Sequence, residues 1–155
     1  MSNKISMSKL SNDISRRLDG MTVRSQAGLQ AYLARNVYKQ YQKAQMKRWQ
    51  TQGSSGTGQW AELSEAYAAT KRVKFASYPG HGVTLLVATN RLQKSVIGTS
   101  GEHRLMVAER SIRIATVVPY AEYVNDARQF EKLGEKTTRE ILNGIKRFLA
   151  KGAAA

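Results

Sequence analysis

A chain of 155 residues, 41% of them hydrophobic and 23% charged, is too apolar for a disordered segment and fits one domain. A domain of this size buries roughly 70% of the surface of its unfolded chain, so a real core is expected. It holds no cysteine, which excludes disulfides, thiolate nucleophiles and cysteine-built zinc sites, and its 25 lysines and arginines against 11 acids leave a net charge of +14 that favours an acidic partner.

Residues 1–50 read as basic helices. Met7, Leu10, Ile14, Leu18 and Met21 recur at helical spacing, and Gly20 can end that helix. The opening residues hold no apolar run of signal-peptide length and no stretch of the chain is apolar for about 18 residues, so neither export by that route nor a membrane span is expected. A longer helix is expected from Thr22 to Trp49, with Leu29, Leu33, Val37 and Tyr41 on one stripe and Arg35, Lys39, Gln42, Lys43 and Lys47 away from it. Ten lysines and arginines against Asp13 and Asp19 place more than half of the net charge in this third of the chain.

Residues 51–90 read as a loop-rich insertion. Its first part, 51–59, is rich in glycine and small polar residues, which offer little to bury and much backbone entropy to lose, so a mobile loop is expected. A short helix from Trp60 to Lys74 follows, then Pro79 and its neighbouring glycines break any regular element.

Residues 91–130 read as a small antiparallel β-meander with a short helix. The expected strands are Ser95–Thr99, His103–Ala108 and Ile112–Val118, the last with apolar alternation, with turns at Ser100-Gly101 and Glu109-Arg110. Pro119 closes the sheet and Tyr120–Asn125 makes a helical turn or two. Residues 131–150 carry the closing helix, Glu135–Leu149, with Ile141, Leu142, Ile145, Phe148 and Leu149 inward and Thr137 with Glu140 at capping-box spacing. Gly144 inside it marks a close approach, and 151–155 form a tail. The fold class is therefore α+β in a single domain, with N-terminal helices and a C-terminal helix packed on the meander.

No reactive constellation emerges. His81 and His103 lack metal-ligand spacing and read as solvent-facing. GSSGTG, residues 53–58, lacks the lysine and hydroxyl residue of a phosphate-binding loop, and GTSG, residues 98–101, lacks the order of a nucleophile elbow. No catalytic residue, cofactor or metal site is expected, and no small-molecule substrate.

The candidate residues are for partner binding. Arg35, Lys39, Lys43 and Lys47 form a row of cations, with Arg48 beside it and Tyr32, Tyr38 and Tyr41 nearby. Such a row suits phosphates or an acidic protein surface. The loop glycines Gly53, Gly56 and Gly58 and the following Lys71, Arg72 and Lys74 complete the set.

From Trp49 to Phe130 the sequence resembles the phage virion morphogenesis proteins, the tail-completion family typified by phages Mu and P2. The resemblance is an ordered series covering about two thirds of the chain. Trp49 matches the bulky residue that closes the family's first long helix. The polar loop 51–59 precedes Trp60-Ala61-Glu62-Leu63-Ser64, which is similar to the family's Trp-x-x-Leu-Ser element, with Lys71, Arg72 and Lys74 behind it. Leu85-Leu86 leading to Thr89, Asn90, Leu92 and Ser95 resembles a Thr-Gly-x-Leu-x-x-Ser element, with asparagine where the family prefers glycine. Ile114-Ala115-Thr116 leading to Tyr120-Ala121 resembles Ile-Gly-Thr-x-x-x-Tyr-Ala. Ala127, Arg128 and Phe130 match Ala-Arg-x-Phe, and Asn125-Asp126 replaces a usual glycine.

The resemblance implies a non-enzymatic structural virion protein at the head–tail junction, or neck, that completes the tail or joins it to the head. It would be assembled in the host cytoplasm as a homo-oligomeric ring around the DNA passage. Its partners would be connector, neck or tail proteins, with packaged DNA close by. The alternative from the residues alone is a small basic nucleic-acid-binding protein.

Overall fold

The computed structural model describes residues 28–56, 58–77, 89–130 and 132–153. The expected first helix, the start of the second, the Pro79 region and His81 lie outside these residues.

The elements run α1 (Leu29–Tyr32), a π-turn (Leu33–Val37), α2 (Tyr38–Gln50), α3 (Glu65–Lys74), α4 (Arg91–Ile97), β1 (His103–Val107), β2 (Ile112–Thr116), α5 (Ala121–Arg128) and α6 (Glu135–Ala153). The fold is α+β, with the sheet a two-stranded antiparallel hairpin. The chain divides into two compact units. The first joins the described residues up to Ala44 with Leu105–Ile114 and the chain from Lys132; the second joins Gln45–Arg104 with Ala115–Glu131.

A four-residue repeat governs the segment from α1 to α2. Leu29, Leu33, Val37, Tyr41, Gln45 and Trp49 are all buried. On a helix of 3.6 residues per turn a four-residue step overshoots by about 40° each time, so such a row winds around the helix. The π-turn counters that drift, because its wider turn closes hydrogen bonds five residues back, as from the Tyr38 N–H to the Leu33 carbonyl. The same repeat offset by two residues leaves Arg35, Lys39, Lys43 and Lys47 exposed.

In the first unit Leu29, Leu33, Val37 and Tyr41 pack with Ile112, Leu133, Ile141, Ile145 and Leu149. Burial of an aliphatic side chain of this kind contributes roughly 1.5–3 kcal/mol. Tyr32 stacks on Phe148, with ring centroids 4.5 Å apart, and Gln30 Nε2 donates to the Val107 carbonyl at 3.1 Å. The inward face expected of the last helix is present, but that helix starts at Glu135, so Thr137 and Glu140 lie within it and make no cap. Gly144 meets Tyr32, as its cost inside a helix suggests.

In the second unit Trp49, Trp60, Leu92, Val96, Val118, Ala121 and Phe130 form the core. Trp49 and Trp60 meet edge to face at 5.1 Å, and Phe130 lies 6.0 Å from Trp49. Residues 51–56, expected to be a mobile loop, make a bonded turn. Gly53 N–H donates to the Arg48 carbonyl at 2.9 Å, Gly56 N–H to Gly53 at 2.9 Å, and Trp60 N–H to Gln52 at 2.9 Å. Small polar side chains suit this turn because the Thr51 hydroxyl donates back to the Lys47 carbonyl of α2 and the Ser54 hydroxyl to the Thr51 carbonyl.

The segment Ser95–Thr99, read as a strand, belongs instead to helix α4 and its exit. Leu92, Ser95 and Val96 are buried at helical spacing, while Asn90 (φ 61°) and Gly98 (φ 91°) hold left-handed backbone at the two ends. The Gly98 and Thr99 N–H groups both return to the Lys94 carbonyl, closing the helix. The remaining two strands pair as expected, His103 opposite Thr116 and Val107 opposite Ile112, bracketed by hydrogen bonds from Ala108 to Ser111 and from Val117 to Glu102.

Candidate docking groove

The second unit carries a groove of about 750 Å³ between α3, α4 and α5. Local chemistry sets each wall. Ser64 caps α3, its hydroxyl accepting from the Tyr67 N–H at 3.4 Å, and this places Tyr67 and Lys71 one turn apart on the face that lines the groove. Asn90 turns the chain into α4 through its left-handed backbone, which sets Arg91 and Leu92 at the groove wall. From α5 and the residue before it come Tyr120, Tyr123, Val124 and Arg128.

The electrostatics are one-sided. Lys71, Arg91 and Arg128 line the groove, and no aspartate or glutamate does so among the described residues. Arg91 is engaged by Glu102, with Nε donating to both carboxylate oxygens at 2.8 and 3.0 Å. That hydrogen-bonded guanidinium holds the Glu102 carboxyl below its usual range. Lys71 is 2% exposed, and burial first and the neighbouring charge of Arg128 second push its ammonium below the usual lysine value. Arg128 Nε donates to the Ala61 carbonyl at 3.3 Å. Tyr120 is raised above the usual phenol value, chiefly by burial.

The candidate residues read from the sequence fall into three places. Arg35, Lys39, Lys43 and Lys47 are exposed along one helix, and Arg72, Lys74 and Gly58 are exposed elsewhere. Arg48 is buried rather than exposed with the row: it is 2% exposed, donates from Nη2 to the Gln129 carbonyl at 2.6 Å, and lies over the Trp60 ring at 5.9 Å. Gly53 is buried against Trp60 and Gly56 lies against the Arg48 side chain, so both serve the turn. Lys71 alone of the set lines the groove.

The tyrosines near the cation row serve the first unit's core. Besides Tyr32 on Phe148, Tyr38 stacks with Tyr41 at 6.5 Å and its hydroxyl accepts from Gln42 Nε2 at 3.2 Å. His103, read as solvent-facing, is half-buried, its Nδ1 2.7 Å from the Ser95 carbonyl. Among the described residues no group of three histidines, cysteines or acids gathers closely enough to hold a metal ion.

Sequence reasoning did not single out Arg91, Tyr67 or Tyr123. A signal existed for Tyr67, which stands one helical turn before Lys71 and three residues after the capping serine.

No family model, no curated protein and no solved structure matches this chain.

Proposed function

We propose that the chain is a structural bacteriophage virion protein of the head–tail junction, completing the tail or joining it to the head as a ring-forming subunit. It acts through surfaces rather than by turnover.

One observation carries this reading. The pieces that resemble the tail-completion proteins are spread over some eighty positions, yet Trp49, Trp60, Leu63, Leu92, Ala121 and Phe130 all belong to a single apolar cluster. The serine and threonine of two further pieces, Ser95 and Thr116, are hydrogen-bonded to each other. Matches that reflect a common fold are expected to meet in one core, as these do. Asn90 adds to this, since it takes the left-handed backbone that a family glycine would supply. Among the described residues no helix is long and apolar enough to cross a membrane.

Cryo-electron microscopy of purified virions tests the reading. The expected result is a closed ring of this chain at the neck. A chain missing from virions and from assembly intermediates alike overturns it.

The exposed row Arg35, Lys39, Lys43 and Lys47 favours a second reading, a basic nucleic-acid-binding protein. That reading requires affinity for free DNA that falls steeply with salt and weakens when Lys39, Lys43 and Lys47 become glutamine. Absence of DNA binding at low salt ends it.

A further inference from the structure

We infer that the first unit binds the phosphate backbone of duplex nucleic acid across two helices, with Lys146 and Arg147 of α6 acting together with Arg35, Lys39 and Lys43 of the π-turn and α2. The inference rests on the nucleic-acid reading given second above, to which it adds a second helix and a mode of contact. The head–tail reading neither requires nor excludes it.

The fold sets the two helices side by side. Tyr32 stacks on Phe148 at 4.5 Å, and a β-carbon on Gly144 would meet the Tyr32 hydroxyl at 2.8 Å and the Gln40 amide nitrogen at 3.9 Å. Positions 32 and 40 thus pack on 148 and 144 in turn, so α6 runs antiparallel to the segment from α1 to α2 and flanks it with its C-terminal half. Arg147 stands three residues beyond Gly144 and Lys43 three beyond Gln40. Each is therefore about one turn along its helix from that contact. All five cations are exposed.

Charge sets the sign of the occupant. No acid occurs from Gly20 to Ala61, and none follows Glu140. Neither stretch supplies a carboxylate to answer its own cations, and among the described residues none of the five forms an ion pair. The row on α2 repeats about every 6 Å, four residues of helix at a time. A polyanion with closely repeated charges meets such a row at several points and releases a counterion at each.

The lack of apolar anchors sets the kind of occupant. A protein partner is held chiefly by aromatic and aliphatic side chains at the centre of its interface. Among the described residues every exposed large apolar side chain lies outside 28–44 and 132–153. Unpaired bases need exposed aromatic rings to stack on, and Tyr32 and Tyr38 are half-buried and already stacked. Duplex phosphates need neither, because their contacts are electrostatic and carry no sequence information.

The test is fluorescence anisotropy of the full chain with a short labelled DNA duplex over a series of salt concentrations. Each phosphate neutralised contributes about −0.9 to the slope of log affinity against log salt, so a slope of about −4 or steeper is expected. Lys146→Gln with Arg147→Gln is expected to make it shallower by about two, as is Lys39→Gln with Lys43→Gln. Arg72→Gln with Lys74→Gln, exposed cations of the second unit, should leave it unchanged. Circular dichroism melts establish that each variant folds; should the α6 pair unfold, Lys146→Gln alone decides, with an expected change of about one.

No duplex binding at low salt overturns the inference together with the nucleic-acid reading. Duplex binding whose slope the α6 variants leave intact overturns the inference alone and leaves that reading standing. Polyglutamate that competes as well as the duplex assigns the face to an acidic protein, and a single strand bound more tightly than the duplex assigns it to unpaired bases, each against the inference. The head–tail reading is decided separately, by whether the chain is found at the neck.

Discussion

Gly144 of α6 lies beneath the Tyr32 hydroxyl, and a β-carbon on it would stand 2.8 Å from that oxygen. The Tyr32 ring is itself stacked on Phe148, so it has little freedom to withdraw. The helix therefore accepts a residue that costs about 1 kcal/mol against alanine in exchange for close packing. Gly144→Ala gains that propensity but overpacks the contact, and a net loss of about 1–2 kcal/mol is expected in urea denaturation. In a Tyr32→Phe background, where the oxygen is gone, the same substitution is neutral or stabilising. A loss of equal size in both backgrounds would refute the packing account.

Gly53 combines a backbone at φ +95° with a crowded surround, since a β-carbon would stand 2.5 Å from the Gly58 carbonyl and 2.6 Å from Trp60. Gly58 has φ +125° but open space around it. Gly53→Ala is expected to cost about 2–4 kcal/mol, by strain and overpacking together, and Gly58→Ala only the strain of about 1–3 kcal/mol. Equal midpoints for the two variants in urea denaturation would contradict this ranking.

Gln45 is fully buried, and among the described residues neither its amide nitrogen nor its amide oxygen has a hydrogen-bond partner. Methionine matches it in shape without a polar group to desolvate. Gln45→Met should stabilise the protein by about 1–2 kcal/mol, seen as a higher melting temperature. A lower melting temperature would mean that the amide is satisfied in solution, as by a buried water.

Lys71 titrates below the free-lysine value of 10.5, because burial and Arg128 both disfavour its ammonium. Between its lowered native value and 10.5 the unfolded chain binds the proton that the native state has released. The cost to stability is therefore full below that window and disappears as pH rises through it. Relative to Lys71→Met, the wild type should gain melting temperature as pH rises from about 7 to about 10.5. A difference that stays constant across this range would show that the ammonium is not desolvated.

The helical stripe was legible because periodicity is a local property: Leu29, Leu33, Val37 and Tyr41 share one face whatever they pack against. The hairpin was legible for the same reason, from the alternation in Ile112–Thr116. Ser95–Thr99 misled because its short apolar run fits a strand as well as a helix end, and only burial at Leu92, Ser95 and Val96 separates the two. The burial of Arg48 was illegible for the same reason, since a cation next to a cationic row carries no local mark of it; the Gln129 carbonyl to which it donates lies 81 positions away.

Sequence alone therefore determined the α+β class, the charge, the two main apolar faces and the row of exposed cations along the π-turn and α2, because each follows from spacing within a few turns of chain. Tertiary structure alone decided that the glycine-rich turn is bonded, that Arg48 is internal, and that Lys71, Arg128, Tyr67 and Tyr123 line one groove. Those are contacts between segments far apart in the chain, set by which surfaces exclude water together, and no local pattern records them.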